Sequence, residues 1–329
     1  MYNLYNEDTW KKVNRENKDL LEDYVLEMKA EGKSKGTIDQ YTADIKGFFC
    51  WLHDNQDNKS VLRCKKRVFR RFFLDCQDMG SSAARINRQQ CSLRTMLSFA
   101  EADDDEYEDY ENNQMRTVKG LQKESVRDIV FLEDYEIKDL IKELISRGKY
   151  RQAMFVAIAY ESGARKNELA QIDRESFHGQ GNETNEVIGK RKKKFRLRFY
   201  KWSKNIYDNF IYEEGVESGP LFYNTRKDVR EPLSPDNYYQ WIVDCRKILA
   251  EIGYGFKPFN VHSFRHSCAE NLLNGSHRNI LDVFNKESMD IKEIQLLLHH
   301  KSVETTEIYV RDRTEERERE LFEVALEDL

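Results

Sequence analysis

Apolar residues recur every three to four positions through the first hundred residues of this 329-residue chain. Leu20, Leu21, Tyr24, Val25 and Met28 form one such stripe, the mark of an amphipathic helix, and Gly32 closes it. Ser34 or Thr37 opens a second helix with Ile38, Tyr41, Ile45, Phe48, Phe49 and Leu52 on one face. A third runs near Val61 to Cys76, and a fourth near Ser82 to Phe99 carries Ile86, Cys91, Leu93, Met96 and Leu97. The pattern predicts a compact four-helix unit over residues 16–100, with residues 1–15 as an N-terminal extension. It breaks at Glu101, and residues 101–130 read as an acidic linker, solvated or extended. Helices resume near Asp134 to Leu144 and Tyr150 to Glu161. Val187 and Ile188 then lead into the turn Gly189 to Lys194, after which Phe195, Leu197 and Phe199 alternate with Arg196, Arg198 and Tyr200, the period of a half-buried strand. The remainder is predicted mostly helical, with loops around Pro232 to Pro235 and Gly253 to Pro258. The last segment, Glu315 to Leu329, is an acidic helix with Leu321, Phe322, Ala325 and Leu326 on one side. The expected fold class is mainly α with a small β-sheet (α+β), the second domain covering residues 131–314.

No apolar run reaches the roughly 20 residues a bilayer crossing needs. The opening residues lack a basic stretch followed by an apolar one, so neither a membrane span nor a signal peptide is expected. Six cysteines stand without CxxC pairs, as thiols of a reducing cytoplasm do. The formal charge of −5 argues at first against nucleic acid as a partner. Its distribution reverses the argument. Glu101 to Glu111 carries −8 and Glu315 to Leu329 carries −5, so the rest of the chain carries +8. Patches decide contacts, and net charge does not. Two basic clusters stand out as phosphate-binding candidates: Arg63, Lys65, Lys66, Arg67, Arg70 and Arg71, and Lys190, Arg191, Lys192, Lys193 and Lys194 with Arg196 and Arg198.

Four short segments of the second domain carry chemistry-bearing residues. In Ser162-Gly163-Ala164-Arg165-Lys166-Asn167-Glu168-Leu169, Arg165 and Glu168 are helical neighbours, by themselves an ordinary surface ion pair. The lysine-rich turn is by itself a solvated tip. In Val261-His262-Ser263-Phe264-Arg265-His266, His262 and Arg265 share a helical face, and a planar guanidinium suits two phosphate oxygens at once. His262 and His266 with Cys268 nearby could suggest zinc, but no glutamate accompanies them in the metalloprotease arrangement, and no metal or other cofactor is expected. In the fourth segment, Leu297-Leu298-His299-His300 precedes Thr305-Thr306-Glu307-Ile308-Tyr309, where a lone tyrosine would ordinarily be a core or surface aromatic.

The order of these signals, arginine, lysine hairpin, His-x-x-Arg, histidine, tyrosine, resembles the tyrosine recombinase (phage integrase) family, which includes the Xer-type enzymes. Ala164-Arg165-x-x-Glu168-Leu169 is similar to that family's first arginine motif, Val187-Ile188-Gly189-Lys190 to its lysine hairpin, His262-x-x-Arg265-His266 to its second box, and Leu297-x-x-His300 through Tyr309 to its last. Residues 33–52 and 82–99 resemble its helical, SAM-like core-binding domain. Three features depart from the pattern. His299 stands where the family usually has glycine, leaving either His299 or His300 to contact phosphate. The turn offers Lys192, Lys193 or Lys194 as substitutes for Lys190. Between Leu273 and Ile291 the chain is longer, with an extra turn or short helix expected.

The resemblance implies a DNA strand-breaking and rejoining enzyme, a site-specific recombinase. Tyr309 would be its nucleophile and a 3′-phosphotyrosyl ester its intermediate. Arg165, Arg265 and His300 would neutralise the phosphate oxygens, Lys190 would protonate the leaving oxygen, and His262 would act as base or orienting group, with Glu168 and His266 supporting them. A phosphodiester already carries negative charge, so attack needs this neutralisation and a proton for the leaving oxygen. A phenol of ordinary pKa ~10 needs a basic or cationic neighbour. The implied partners are a double-stranded DNA recombination site, clamped by both domains, and three further copies of the chain in a homo-tetramer on DNA. Each subunit would pass its C-terminal helix to a neighbour. The alternative is a catalytically silent DNA-binding regulator or recombination accessory of the same fold.

Overall fold

The computed structural model describes residues 4–103, 105–122, 129–189, 192–212, 216, 218–226, 229–234, 237–299 and 306. The chain divides into two compact units at Asp128/Ile129.

The first unit is all helical: α1 (Glu7–Lys12), α2 (Arg15–Ala30), α3 (Lys35–Asn55), α4 (Lys66–Asp78) and α5 (Ala83–Ala102). Ser34 caps α3 and Ser82 caps α5, each hydroxyl accepting a backbone N–H that the first helical turn cannot satisfy. The core is aromatic where α3 meets α4: Phe48 lies edge-on to Phe72 at 4.8 Å and stacks with Phe69 at 5.4 Å, while the Trp51 indole donates to Asp75 at 2.9 Å. These contacts bury Phe69, Phe72, Phe73 and Cys76 and turn the basic face of α4 outward. On other elements, α2, α3 and α5 frame an open groove lined by Glu27, Glu31, Asp103 and Asp105 with Tyr24, Tyr41 and Phe99.

Two expectations are corrected here. Residues 4–13 are part of this unit: Asn6 caps α1, Val13 is buried, Leu4, Tyr5 and Trp10 pack on the core, and Asn58 ties the segment down through hydrogen bonds with Asn14 and Lys12. Nor are the described residues between 101 and 122 a solvated linker. Tyr110, Met115 and Val118 are buried in the core, and the Asn113 amide donates to Ser98 and to the Arg94 carbonyl. Asn87 of α5 accepts from the Leu121 N–H and donates to its carbonyl. A few apolar anchors plus side-chain bonds to the backbone hold a segment whose composition alone reads as solvent-loving.

The second unit is α+β. Its helices are α6 (Asp134–Ser146), α7 (Tyr150–Ser162), α8 (Lys166–Leu169), α9 (Lys201–Ile206), α10 (Tyr238–Leu249), α11 (Val261–Leu273), α12 (Asn279–Asp282) and α13 (Ile291–Leu297). Strands β1 (Glu183–Ile188) and β2 (Lys194–Arg198) form one antiparallel hairpin, β3 (Tyr223–Arg226) and β4 (Val229–Pro232) another. The first was expected from its alternation. The second was not expected: Pro232, read as part of a loop, is the last residue of β4 and pairs with Tyr223, and the polar residues of this hairpin show no period of two. Helices α7 and α11 are the centre: every residue of α7 from Gln152 on and nearly all of α11 are buried. The Glu161 carboxylate, at the end of α7, accepts from the backbone N–H groups of Tyr200, Trp202 and Ser203 and from the Ser203 hydroxyl, at 2.6–3.2 Å. This fastens the start of α9, and so the far end of the first hairpin, to the central helix.

The lengthened segment after Leu273 packs inward and contains α12. His277 stacks on Tyr160 at 4.4 Å, and the Met289 N–H returns to the Leu272 carbonyl at 2.9 Å. Gly275 has φ 75°, and a Cβ there would sit 2.1 Å from the Glu287 carbonyl oxygen. Arg278 forks onto Asp134 at 2.8 and 3.0 Å and also donates to the Asp134 carbonyl. With side-chain exposures of 12% and 17%, this pair is shielded enough for loss of one partner to hurt. Asp134→Ala is expected to lower the unfolding free energy by ~3 kcal/mol and Asp134→Asn by less. Urea denaturation checks this, and unchanged stability in the alanine variant would refute the anchoring role.

Candidate active site

Arg165 sits between α7 and α8, in extended backbone that lets its N–H and guanidinium both turn to Glu168. The Glu168 carboxylate accepts from the Arg165 backbone N–H at 2.8 Å and from Nη1 at 3.0 Å. Glu168 is 2% exposed and Arg165 28%, so a buried acid holds a cation that solvent still reaches. The surface ion pair of the plain reading is thus half interior.

Arg265 comes from the first turns of α11, whose start is capped by Asn260 accepting the His262 N–H at 2.8 Å. Its guanidinium, 1% exposed, donates through Nη1 to the Gly163 carbonyl at 2.5 Å and through Nη2 to the Leu298 carbonyl at 2.6 Å. Two of its five N–H groups are therefore spent on the backbone that flanks Arg165 and on the backbone that leads to His300. Gly163 is left-handed at φ 58°, and a Cβ there would lie 2.4 Å from Leu298 Cδ2, so this close approach suits glycine.

The His262 ring stands edge-on to His266 at 5.0 Å. His266 is buried and meets Phe131 edge-on at 6.0 Å. Crowding by protein, then the positive charges of His266, Arg265 and Arg165, push His262 down to about 4. It is neutral at physiological pH, as a proton acceptor must be. By surface area the residue remains exposed, so a phosphate can reach it.

The lysine turn is closed by the Gly189 N–H donating to the Lys193 carbonyl at 2.8 Å, with Lys192 left-handed at φ 59°. Lys192, Lys193 and Lys194 are exposed, and Lys194 is already in β2, paired with Ile188. The Gln171 side chain, which sequence reasoning missed, grips the other strand: it accepts from the Ile188 N–H at 2.8 Å and donates to the Ile188 carbonyl at 3.1 Å. A glutamine bonding to backbone leaves no motif in the sequence. His299 is left-handed at φ 54°, which explains why glycine suits that place, and its ring lies 4.1 Å from that of Phe195. In the first unit, Arg63, Lys65, Arg67, Arg70 and Arg71 are exposed and Lys66 half-buried. Lys65, Lys66 and Arg67 open α4 with no acidic residue in its first turn, adding cations to the helix's own positive end. An anion would relieve that clash.

Lys190, His300 and Tyr309, and the helix Glu315 to Leu329, lie outside the described residues. Thr306, three positions before Tyr309, is described and is buried. Among the described helices none is long and apolar enough to cross a membrane.

The phage integrase family model matches residues 130–316, and the model of the phage integrase N-terminal SAM-like domain matches residues 21–103. Tyrosine recombinase XerA of Pyrococcus furiosus is 28% identical over 295 residues, 89% of this chain and 89% of the relative. Tyrosine recombinase XerC of Treponema denticola is 26% identical, covering 86% of this chain and 90% of the relative. A crystal structure of a lambda integrase tetramer bound to a Holliday junction shares the fold, with a TM-score of 0.65 at 18% identity over 90% of this chain and 77% of that one. The chain belongs to the phage integrase family of tyrosine recombinases, enzymes that cleave and rejoin DNA strands.

Two measurements test this geometry. Because the unfolded chain takes up the His262 proton near the ordinary 6.5 and the folded one only near 4, His262 withdraws stability as pH falls across that window. In a histidine NMR titration of DNA-free protein, His262 is expected to remain neutral near pH ~5.5, where an ordinary imidazole is mostly charged. A midpoint at the ordinary value would contradict the crowding. Reversing Lys65 and Lys66 to glutamate should weaken binding to all DNA sequences alike and flatten its salt dependence, since each lost phosphate contact lowers the salt slope by ~0.9. An unchanged slope would remove α4 from the DNA interface.

Proposed function

We propose that this enzyme recombines DNA at a specific site by the residues whose order first suggested it. Tyr309 attacks the scissile phosphorus, the 3′-phosphotyrosyl ester conserves the bond energy, and Lys190 protonates the departing 5′ oxygen. Arg165 and Arg265 neutralise the non-bridging oxygens, with His300 as a further donor. His262, neutral and reachable, receives or orients the tyrosine proton. Glu168 fixes the direction of Arg165, and His266 backs His262. The observation that carries this reading is the Arg265 fork, which joins the backbone of the first arginine motif to the backbone that leads into the last histidine motif. Three motifs distant in sequence thus surround one place. Arg265 is sheathed while Arg165 is open, so an entering phosphate meets Arg165 first.

The first unit supplies a phosphate-binding surface on α4, and the second supplies another at Lys192, Lys193 and Lys194. Duplex DNA is the substrate, and recombination of two duplexes calls for four subunits. The lambda integrase relative in complex with a Holliday junction is a tetramer, which supports the same assembly here, with Glu315 to Leu329 as the segment that contacts a neighbour. We place this work in the cytoplasm, at the nucleoid.

The test is a detergent-quenched incubation with supercoiled DNA carrying the recombination site. Tyr309→Phe removes one hydroxyl, so folding and binding should persist while the covalent adduct vanishes. Adduct at the normal rate would assign the nucleophile elsewhere. Arg165→Ala and Arg265→Ala should each cost ~2.7–4 kcal/mol of transition-state stabilisation, the usual effect of deleting one preorganised donor. Near-normal cleavage by either would break the clamp assignment.

A further inference from the structure

We propose that His299 is a positioning residue: its ring, packed against Phe195, holds the root of the lysine hairpin against the arginine clamp, so that the acid acts at the leaving oxygen. This rests on the reading of Lys190 as that acid.

Five observations converge. His299 occupies a left-handed position, φ 54°, where an L-residue with a bulky ring is disfavoured and glycine would relieve the backbone. Its ring lies 4.1 Å from the Phe195 ring at 32° and hydrogen-bonds the backbone of Arg196, the next residue of β2. Phe195 is the first residue of β2 to face Val187 across the hairpin, and its ring fills the space a Cβ on Gly189 would take, at 2.5 Å from that position. Gly189 immediately precedes Lys190. On its other side, the same place is 3.2 Å from Glu168 Oε1, the oxygen that accepts from Arg165 Nη1. His299 itself follows Leu298, whose carbonyl accepts from Arg265. A run of close neighbours results, Arg165, Glu168, Gly189, Phe195, His299, Leu298, Arg265 and Gly163, in which His299 is the link between the hairpin and the end of α13.

The ring's charge state agrees with a packing role. Burial first, then the cations Lys193 and Arg265, push the His299 imidazole below its ordinary value, with Glu168 pulling the other way. A ring whose protonation is disfavoured by burial and nearby cations is better suited to pack on an aromatic face than to bind phosphate as imidazolium. His299 and His300 thereby divide the work: the first holds the hairpin, and the second is left for the phosphate.

The prediction separates positioning of the acid from every other defect. When Tyr309 Oη forms its bond to phosphorus, the P–O5′ bond breaks and O5′ takes a proton from Lys190. If sulfur replaces O5′, the leaving group departs as a stable thiolate and needs no proton. Adduct formation is followed under single-turnover conditions on duplexes carrying the cleaved site with oxygen or with sulfur at that atom. His299→Gly, which keeps the left-handed backbone comfortable, and Phe195→Leu, which keeps the hairpin apolar, should melt like the parent and bind DNA equally. On the oxygen substrate each should cleave on the order of 10–100-fold more slowly, the range expected when a general acid is misplaced. On the sulfur substrate both should match the parent, as Lys190→Ala should. The double variant should be no slower than either single one, because both remove the same contact. Parental rates for His299→Gly on the oxygen substrate would overturn the proposal. So would an equal defect on both substrates, which would place the fault at the nucleophile or the clamp. Should the parent itself form no adduct on either duplex, it is the recombinase mechanism that fails, a result distinct from either of these.

Discussion

The second unit is organised around one guanidinium. Arg265 reaches from the buried helix α11 to the carbonyls of Gly163 and Leu298, at 2.5 and 2.6 Å. A buried cation with poor partners would cost several kcal/mol, and the carbonyls of two chain turns are what make its burial tolerable. The same bonds fix where α7 ends and where α13 ends. Gly163 suits glycine because its backbone is left-handed, at φ 58°, and because a Cβ there would displace the Leu298 side chain. One interaction therefore ties the turn that carries Arg165 to the turn that carries His299, and a change in either is felt at Arg265.

Around that centre the two buried helices divide the labour. Glu161, in the last turn of α7, captures the start of α9 with its carboxylate, and α11 begins with His262 and Arg265. Both are packed on nearly all sides, so their ends are held to the precision of a core. The segments they hold, the turn before α8 and the hairpin, are short and reach the core through a few side chains, Ala164, Val187 and Leu197. Rigid helices with chemistry at their tips are what a reaction needs when its catalytic power comes from orienting charges before the substrate arrives.

How much of this the sequence disclosed depended on whether the cause was periodic or local. The helices were legible because burial on one face repeats every 3.6 residues. Arg165, His262 and Arg265 were legible because their spacing matched a family pattern, and the structure brings them together. The β3–β4 hairpin was not, since Tyr223 to Pro232 has polar residues and no alternation. Nor was the path of residues 105–122, where Tyr110, Met115 and Val118 are isolated anchors in an acidic context. The partners of Arg265 and Gln171 are backbone atoms, which every residue carries and no sequence marks. His299 was visible only as a departure from glycine. Its meaning came from Phe195, about a hundred positions earlier, a contact no local pattern could reveal.

The charge layout of the first unit has a consequence for how the enzyme finds its substrate. The basic turn of α4 belongs to one surface, and the groove bearing Glu27, Glu31, Asp103 and Asp105 belongs to other helices. On the proposed assignment of α4 to DNA, a polyanion would attract that turn and repel the acidic groove, so the unit would be turned to present α4 while still about a Debye length, ~8 Å at physiological salt, away. Acidic residues on the other surfaces would then lessen adhesion to DNA in wrong orientations.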